Sequence, residues 1–130
     1  MSESADFARC FALVPCAGVG QRAGLSGPKQ YARIGGRSLV GHTLSALARV
    51  PRLHATLVVL APHDLQFDAD AGLTAQSAWV AHCGGATRAA SVSSGLAELH
   101  RRGARDDDWV LVHDAARCLL RPAWVERLIE

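Results

Sequence analysis

The chain has 130 residues, of which 49% are hydrophobic, and a formal net charge of +2. These values suit one globular domain over residues 1–130 and exclude a disordered chain. The small net charge and scattered arginines also argue against nucleic-acid binding. The distribution of charge is uneven, however, because no acidic residue lies between Asp6 and Asp64 while seven basic residues do. We therefore expect a polyanionic small-molecule ligand.

The sequence lacks features that would place it in or across a membrane. No stretch approaches the ~20 apolar residues that a membrane helix needs. The first ten residues carry Glu3, Asp6 and Arg9, a pattern unlike a secretory signal. The four cysteines show no spacing typical of metal ligands, which favours reduced thiols. We expect a cytoplasmic protein without a structural metal site.

The first predicted element is a buried strand at residues 11–16, which are mostly apolar. A segment dotted with glycines follows it. Main-chain N–H groups at Gly18 and Gly20 can approach an anion closely, and Arg22 and Lys29 add positive charge. The pattern predicts a phosphate-binding loop; the alternative is a surface loop with two solvated cations.

The remaining elements alternate along the chain. Apolar runs predict strands at 55–60, 78–83 and 109–113, with a solvated acidic turn at 106–108 before the last of them. Apolar spacing predicts helices at 39–47 and 87–102, the second capped by Thr87, and one that starts at Pro122. This alternation predicts an α/β three-layer sandwich with a mostly parallel sheet, continued by further strands beyond Glu130.

Ligands of parallel sheets bind beyond the carboxyl ends of the strands. Three predicted strands end in residues suited to a binding site: Cys16, Ala17 and Gly18; Cys83, Gly84 and Gly85; His113, Asp114 and Ala115. Their convergence predicts a site at this edge. His113 is expected to pack away from the site rather than to act as a base.

Two common glycine motifs do not account for the first loop. The phosphate loop GxxxxGK[ST] fails because Lys29 follows Pro28 and precedes Gln30. The dinucleotide fingerprint matches Gly18, Gly20 and Ala23, but no acidic residue follows at the distance needed to hold a ribose. A nicotinamide- or flavin-dependent oxidoreductase is therefore disfavoured.

The segment GVGQR at 18–22, followed by PK at 28–29, resembles nucleotidyltransferases that join an NTP to a phosphorylated small molecule. Three further stretches, PKQY at 28–31, GGATRAASV at 84–92 and VHDAAR at 112–117, resemble the 2-C-methyl-D-erythritol 4-phosphate cytidylyltransferases of isoprenoid biosynthesis. The resemblance covers residues 11–130. It implies the Rossmann-like nucleotide-diphospho-sugar transferase fold and the transfer of CMP from CTP to 2-C-methyl-D-erythritol 4-phosphate. Ribitol 5-phosphate cytidylyltransferases share much of this pattern and remain an alternative.

The resemblance also implies roles for individual residues. It assigns Arg22 and Lys29 to stabilisation of the transition state, together with Mg²⁺ bridging the phosphates. Asp114 would hold the metal or the acceptor, and Arg117 would contact the acceptor. The nucleotide-binding positions implied are Cys16, Ala17, Gly18, Gly20, Gly84, Gly85 and Ser91.

The sequence departs from the family pattern at two positions. Ala86 stands where related sequences often carry an acidic residue beside the base, and Cys118 stands where proline is usual. The family's dimerisation arm and a late lysine, which position the acceptor, would lie beyond Glu130, and a homodimer is expected for the full-length protein. A non-catalytic nucleotide-binding module is the alternative from another functional class.

Overall fold

The computed structural model describes residues 8–18 and 29–129. Its main sheet has four parallel strands in the order β5-β4-β1-β6. Their bounds are β1 Cys10–Cys16, β4 Leu53–Leu60, β5 Trp79–Ala81 and β6 Trp109–Val112. The four predicted strands are therefore confirmed, although β5 and β6 end before Cys83 and His113.

Short elements connect β1 to the first helix. A 3₁₀ turn, Lys29–Tyr31, leads into a hairpin of β2 Arg33–Ile34 and β3 Arg37–Ser38. Gly35 and Gly36 turn this hairpin with φ of 61° and 81°, a left-handed conformation that glycine adopts without strain. Residues 29–34 are thus divided between the turn and β2.

Five helices complete the described chain. The two predicted central helices are confirmed as α1 Leu39–Ala48 and α4 Arg88–Arg101, and the last helix is α5 Pro122–Ile129. Between β4 and β5 lie two short helices, α2 Gln66–Ala69 and α3 Ala71–Thr74. Thr87 caps α4 as predicted, because its side chain accepts a 3.0 Å hydrogen bond from the Ala90 N–H. No helix in these described segments is long and apolar enough to cross a membrane.

The core lies on both faces of β1. Alternate residues of the strand face opposite sides. Ala12, Val14 and Cys16 join a cluster that includes Val40 and Leu44 of α1. The other face carries Phe11 and Leu13, which pack with Leu57, Val59 and, from α4, Leu99. Full burial of such a side chain stabilises a fold by about 1.5–3 kcal/mol. The sheet is thus covered by helices on both faces, as predicted.

The acidic turn differs from its prediction. Asp106 is fully exposed, but the Asp108 side chain is only 1% exposed. The Asp108 carboxylate accepts hydrogen bonds from the main-chain N–H groups of Arg9 at 2.8 Å and Arg105 at 2.7 Å. The Arg9 guanidinium adds an ion pair at 3.1 Å. Asp108 therefore joins the start of β1 to the turn before β6 rather than standing in solvent.

Candidate nucleotide-binding site

A cavity of about 830 Å³ lies at the carboxyl edge of the sheet. Its walls come from the segments that follow all four strands of the main sheet, together with the 3₁₀ turn at Lys29 and the start of α4. Eight residues predicted from the sequence line it: Cys16, Ala17, Gly18, Lys29, Gly84, Gly85, Ser91 and Asp114. The volume lies in the range typical of small-molecule sites. Arg117 does not line the cavity, and Gly20 and Arg22 lie outside the described residues.

The end of β1 contributes main chain to this cavity. Burial, with a smaller effect of the Asp64 charge, raises the pKa of the Cys16 thiol to about 12. Cys16 is therefore a neutral wall residue at neutral pH and not a nucleophile. The carbonyl oxygens of Cys16 and Gly18 both accept hydrogen bonds from the Gln30 side-chain amide, at 3.1 and 2.9 Å.

Two glycines allow the loop after β5 to approach its neighbours closely. A Cβ on Gly84 would lie 2.3 Å from Ala17 Cβ and 2.8 Å from the Leu60 carbonyl oxygen. A Cβ on Gly85 would lie 2.5 Å from Ala90 Cβ at the start of α4. All three distances are under 3.0 Å, which real Cβ atoms essentially never show. Glycine at these positions is therefore a packing requirement of the cavity wall.

Ser91 supports the same wall from α4. Ser91 is only 2% exposed, and its hydroxyl oxygen accepts a 3.1 Å hydrogen bond from the Gly85 N–H. The Ser91 hydroxyl thus holds the turn at Gly85. A hydroxyl that accepts one bond retains a proton to donate, so this role leaves Ser91 able to bind a ligand acceptor.

The Asp114 carboxylate lies between two arginines. Arg88 Nε donates to Asp114 Oδ1 at 2.7 Å, and Arg117 Nε donates to Oδ2 at 3.2 Å. Burial acts to raise the pKa of Asp114, but hydrogen bonds and charges from both arginines outweigh it and hold the pKa below its usual value. Asp114 is therefore ionised at neutral pH and already paired on both oxygens.

Arg88 was not identified from the sequence as a site residue, yet it lines the cavity. The signal was present in the stretch GGATRAASV, since Arg88 directly follows the N-cap Thr87 and begins α4. A side chain on the first turn of a helix that starts at the site edge is well placed to reach it. Among the described lining residues, Arg88 adds a positive charge to that of Lys29.

The loop after β6 is fixed by two groups that were not predicted. His113 does not line the cavity, in keeping with its expected direction away from the site, and its Nε2 lies 2.8 Å from the Arg117 carbonyl oxygen. Because β6 ends at Val112, His113 belongs to the loop that follows the strand. The Thr43 hydroxyl of α1 donates to the Ala115 carbonyl oxygen at 2.8 Å. Both bonds hold the main chain that carries Asp114 and Arg117.

Comparison with protein families gives a single clear assignment. The family model described as "IspD: 2-C-methyl-D-erythritol 4-phosphate cytidylyltransferase" matches residues 10–130. The chain belongs to this IspD family. The resemblance found in the sequence motifs is therefore confirmed over nearly the whole chain.

Individual IspD relatives are similar over the same region. A bifunctional enzyme IspD/IspF of Albidiferax ferrireducens is 57% identical over 122 residues, covering 94% of this chain and 29% of the relative. A 2-C-methyl-D-erythritol 4-phosphate cytidylyltransferase of Burkholderia cenocepacia is 50% identical over 123 residues, covering 93% and 51%. A crystal structure of 4-diphosphocytidyl-2C-methyl-D-erythritol synthase superposes with a TM-score of 0.80 at 37% identity, covering 95% of this chain and 53% of that one. The chain thus spans about half the length of the single-function relatives it matches.

The donor groups at the site suit a cation held mainly by a ligand's own phosphates. No group of three or more His, Cys, Asp or Glu side chains able to hold a metal occurs within residues 8–18 and 29–129. Among the described residues that line the cavity, Asp114 is the one carboxylate. Both Asp114 oxygens already accept from arginines, and each keeps a second lone pair. Asp114 could therefore add one ligand to a Mg²⁺ ion held mainly by substrate phosphates.

Proposed function

We propose that this IspD-family chain forms the nucleotide-binding part of an enzyme that transfers CMP from CTP to 2-C-methyl-D-erythritol 4-phosphate. The observation that carries the proposal is the cavity at the carboxyl edge of the sheet. Lys29, the wall formed by Gly84 and Gly85, and Asp114 with its paired Arg88 all line this cavity. The family assignment and the 0.80 TM-score to 4-diphosphocytidyl-2C-methyl-D-erythritol synthase support it.

The proposed reaction is a substitution at phosphorus. A phosphate oxygen of the acceptor forms a bond to the α-phosphorus of CTP, the bond from that phosphorus to the bridging oxygen breaks, and pyrophosphate leaves. The acceptor oxygen is already anionic, so no general base is needed. The main barrier is repulsion between two anions and the charge that develops on the leaving group.

Positively charged side chains lower that barrier by neutralising phosphate charge. We assign Lys29 to the triphosphate and the developing pyrophosphate charge, and Arg22 to the same task by its place in the GVGQR motif. An analogous arginine in phosphoryl transfer increases the rate by about 10³–10⁵-fold. Mg²⁺, when bound, would supply further neutralisation of phosphate charge, with Asp114 as its protein ligand. Arg117 is assigned to the acceptor, and a cytoplasmic homodimer is the assembly we propose.

The nucleotide base is assigned to the wall formed by Gly84, Gly85 and Ser91. Cytosine presents an exocyclic amine that donates and two atoms that accept. The Gly84 and Gly85 N–H groups already donate, to the Leu60 carbonyl and the Ser91 hydroxyl. Carbonyl oxygens of the turn would therefore accept from the amine, and the Ser91 hydroxyl would donate its proton to an acceptor atom of the base. Ala86 also lines the cavity but offers no polar side-chain atom. Base selection would therefore rest on main-chain groups there.

The test uses two proteins: this chain, and a completed protein in which the part of the Burkholderia cenocepacia relative outside the match is joined to it. Calorimetry should detect CTP binding to the chain in the presence of Mg²⁺. Pyrophosphate release by the completed protein should require CTP, Mg²⁺ and 2-C-methyl-D-erythritol 4-phosphate together. The intact relative is the positive control.

Each other outcome changes the proposal in a defined way. Release with ribitol 5-phosphate instead would show that the acceptor is wrong and the chemistry right. CTP binding without turnover would favour a non-catalytic module. Lys29→Ala should lower the turnover of the completed protein far more than its CTP affinity, whereas Arg49→Gln, at an exposed position, should change neither. An unchanged rate in Lys29→Ala would remove Lys29 from the catalytic set.

A further inference from the structure

The Gln30 side chain connects the two ends of the glycine-rich loop. Gln30 is only 6% exposed although it is polar, and it lies in the 3₁₀ turn directly after Lys29. Its amide Nε2 donates to the carbonyl oxygens of Cys16 and Gly18. Two hydrogens are present on that nitrogen, so both are used on main chain at the end of β1. Gln30 thus joins residues 16–18 to the turn at residues 29–31.

The turn that Gln30 anchors is itself well connected. The Ala32 N–H donates to the Lys29 carbonyl at 3.0 Å, and the Leu39 N–H donates to the Ala32 carbonyl at 2.8 Å. The main chain of Lys29 is therefore coupled to the start of α1.

The next residue anchors the opposite side of the turn. The Tyr31 hydroxyl donates to Asp64 Oδ2 at 2.5 Å. Asp64 is held in turn by its other oxygen, which accepts from the N–H groups of Gln66 at 2.8 Å and Phe67 at 3.1 Å. Adjacent side chains therefore attach the turn to β1 and to the segment after β4. A turn fixed on two sides can shift little, and Lys29 is its first residue.

We propose that Gln30 is a positioning residue that fixes Lys29 against the carboxyl end of β1 so that Lys29 meets the nucleotide phosphates. The catalytic part of this proposal rests on the proposed function. The anchoring part rests on the geometry alone. The residue type is specific to the task. Glutamate is nearly the same size but has no hydrogen to donate, and it would place negative charge against two carbonyl oxygens.

The variants Gln30→Glu and Gln30→Met both remove the two donors, and Met does so without adding charge. In the completed protein, we expect kcat to fall about 10–100-fold, because displacement of a catalytic group by about 1 Å costs rate on that scale. The KM for CTP should change less than about 3-fold, since an interaction used in the transition state lowers kcat and kcat/KM alike. Arg49→Gln, at an exposed position outside this network, should leave both constants unchanged.

A second readout tests the anchoring without reference to turnover. Hydrogen exchange of the Ala32 amide, measured by NMR on this chain, should be faster in both Gln30 variants and unchanged in Arg49→Gln. If the completed protein is inactive while the intact relative is active, the proposed function fails. The exchange rate of the Ala32 amide would still test whether Gln30 anchors the turn. Unchanged Ala32 exchange would overturn the inference whatever the kinetics. Faster exchange with an unchanged kcat in an active protein would overturn the positioning role.

Discussion

The Thr43 hydroxyl donates a 2.8 Å hydrogen bond to the carbonyl oxygen of Ala115 and lies 3.4 Å from that of Arg117. Thr43 is completely buried in α1, and Ala115 directly follows Asp114. A helix of the core thus holds the main chain of the loop after β6. A buried hydroxyl placed against carbonyl oxygens orders the segment that presents Asp114 and Arg117.

Thr43→Val should destabilise the chain and impair its use of the acceptor. The substitution keeps the shape but leaves the buried Ala115 carbonyl without its donor, which costs about 1–3 kcal/mol. Chemical denaturation measures that loss, and the KM of the completed protein for the acceptor phosphate should rise as the loop shifts. Thr43→Ser retains the hydroxyl and should preserve the acceptor KM. A Val variant as stable as the wild type would contradict a structural role for this hydrogen bond.

Arg88→Gln should raise the pKa of Asp114. Hydrogen bonds and charges from Arg88 and Arg117 lower that pKa against the opposing effect of burial, so removal of one arginine returns it toward its usual value. Titration of the Asp114 carboxyl carbon by NMR measures the shift. Arg49→Gln, which removes an exposed arginine outside the cavity lining, is the matched control. An Asp114 pKa that is identical in both variants would contradict the pairing with Arg88.

Most of the fold could be predicted because its signals are local. Continuous apolar runs gave the strands, and the Thr87 cap and Pro122 gave two helix starts. Strand ends were less certain, since the pairing of β4 with β5 stops at Ala81 although the sequence remains compatible with a strand to Cys83. Where a strand ends depends on its neighbour, and a single sequence does not specify that partner.

The site was predictable in its main chain and less so in its side-chain network. The glycines and Lys29 lie next to strand ends, where local pattern is informative. The bonds of Thr43 to the 115–117 loop and of Arg88 to Asp114 join residues 72 and 26 positions apart. Asp108 likewise meets Arg9 across 99 positions. The sequence alone indicates a solvated acidic run, because the distant donor that pairs with Asp108 is brought to it only by the fold.

Gly84→Ala should disturb the fold, whereas Gly18→Ala should affect binding alone. A methyl group on Gly84 would collide with Ala17 and with the Leu60 carbonyl, while one on Gly18 meets nothing within 4 Å. Thermal unfolding should therefore show a lower Tm for Gly84→Ala and an unchanged Tm for Gly18→Ala. Calorimetry should show weaker CTP binding to Gly18→Ala, because the methyl group keeps phosphate away from the main chain. Equal stability of the two variants would argue against the close contact at Gly84.

Asp108→Asn should destabilise the chain at neutral pH by about 1–3 kcal/mol, because the buried carboxylate loses charge-assisted hydrogen bonds. Burial opposes ionisation of Asp108, but the N–H groups of Arg105 and Arg9 and their charges outweigh it and lower the pKa. A lowered folded-state pKa gives stability that is present above the unfolded-state value of about 3.9 and is lost as the pH falls through the folded-state value.

The difference between wild type and Asp108→Asn in urea denaturation should therefore be constant near pH 7 and shrink below about pH 4. Asp106→Asn, at a fully exposed carboxylate, should track the wild type over the whole range. A difference for Asp108→Asn that is independent of pH would indicate that the carboxylate charge does not stabilise the junction of β1 and β6.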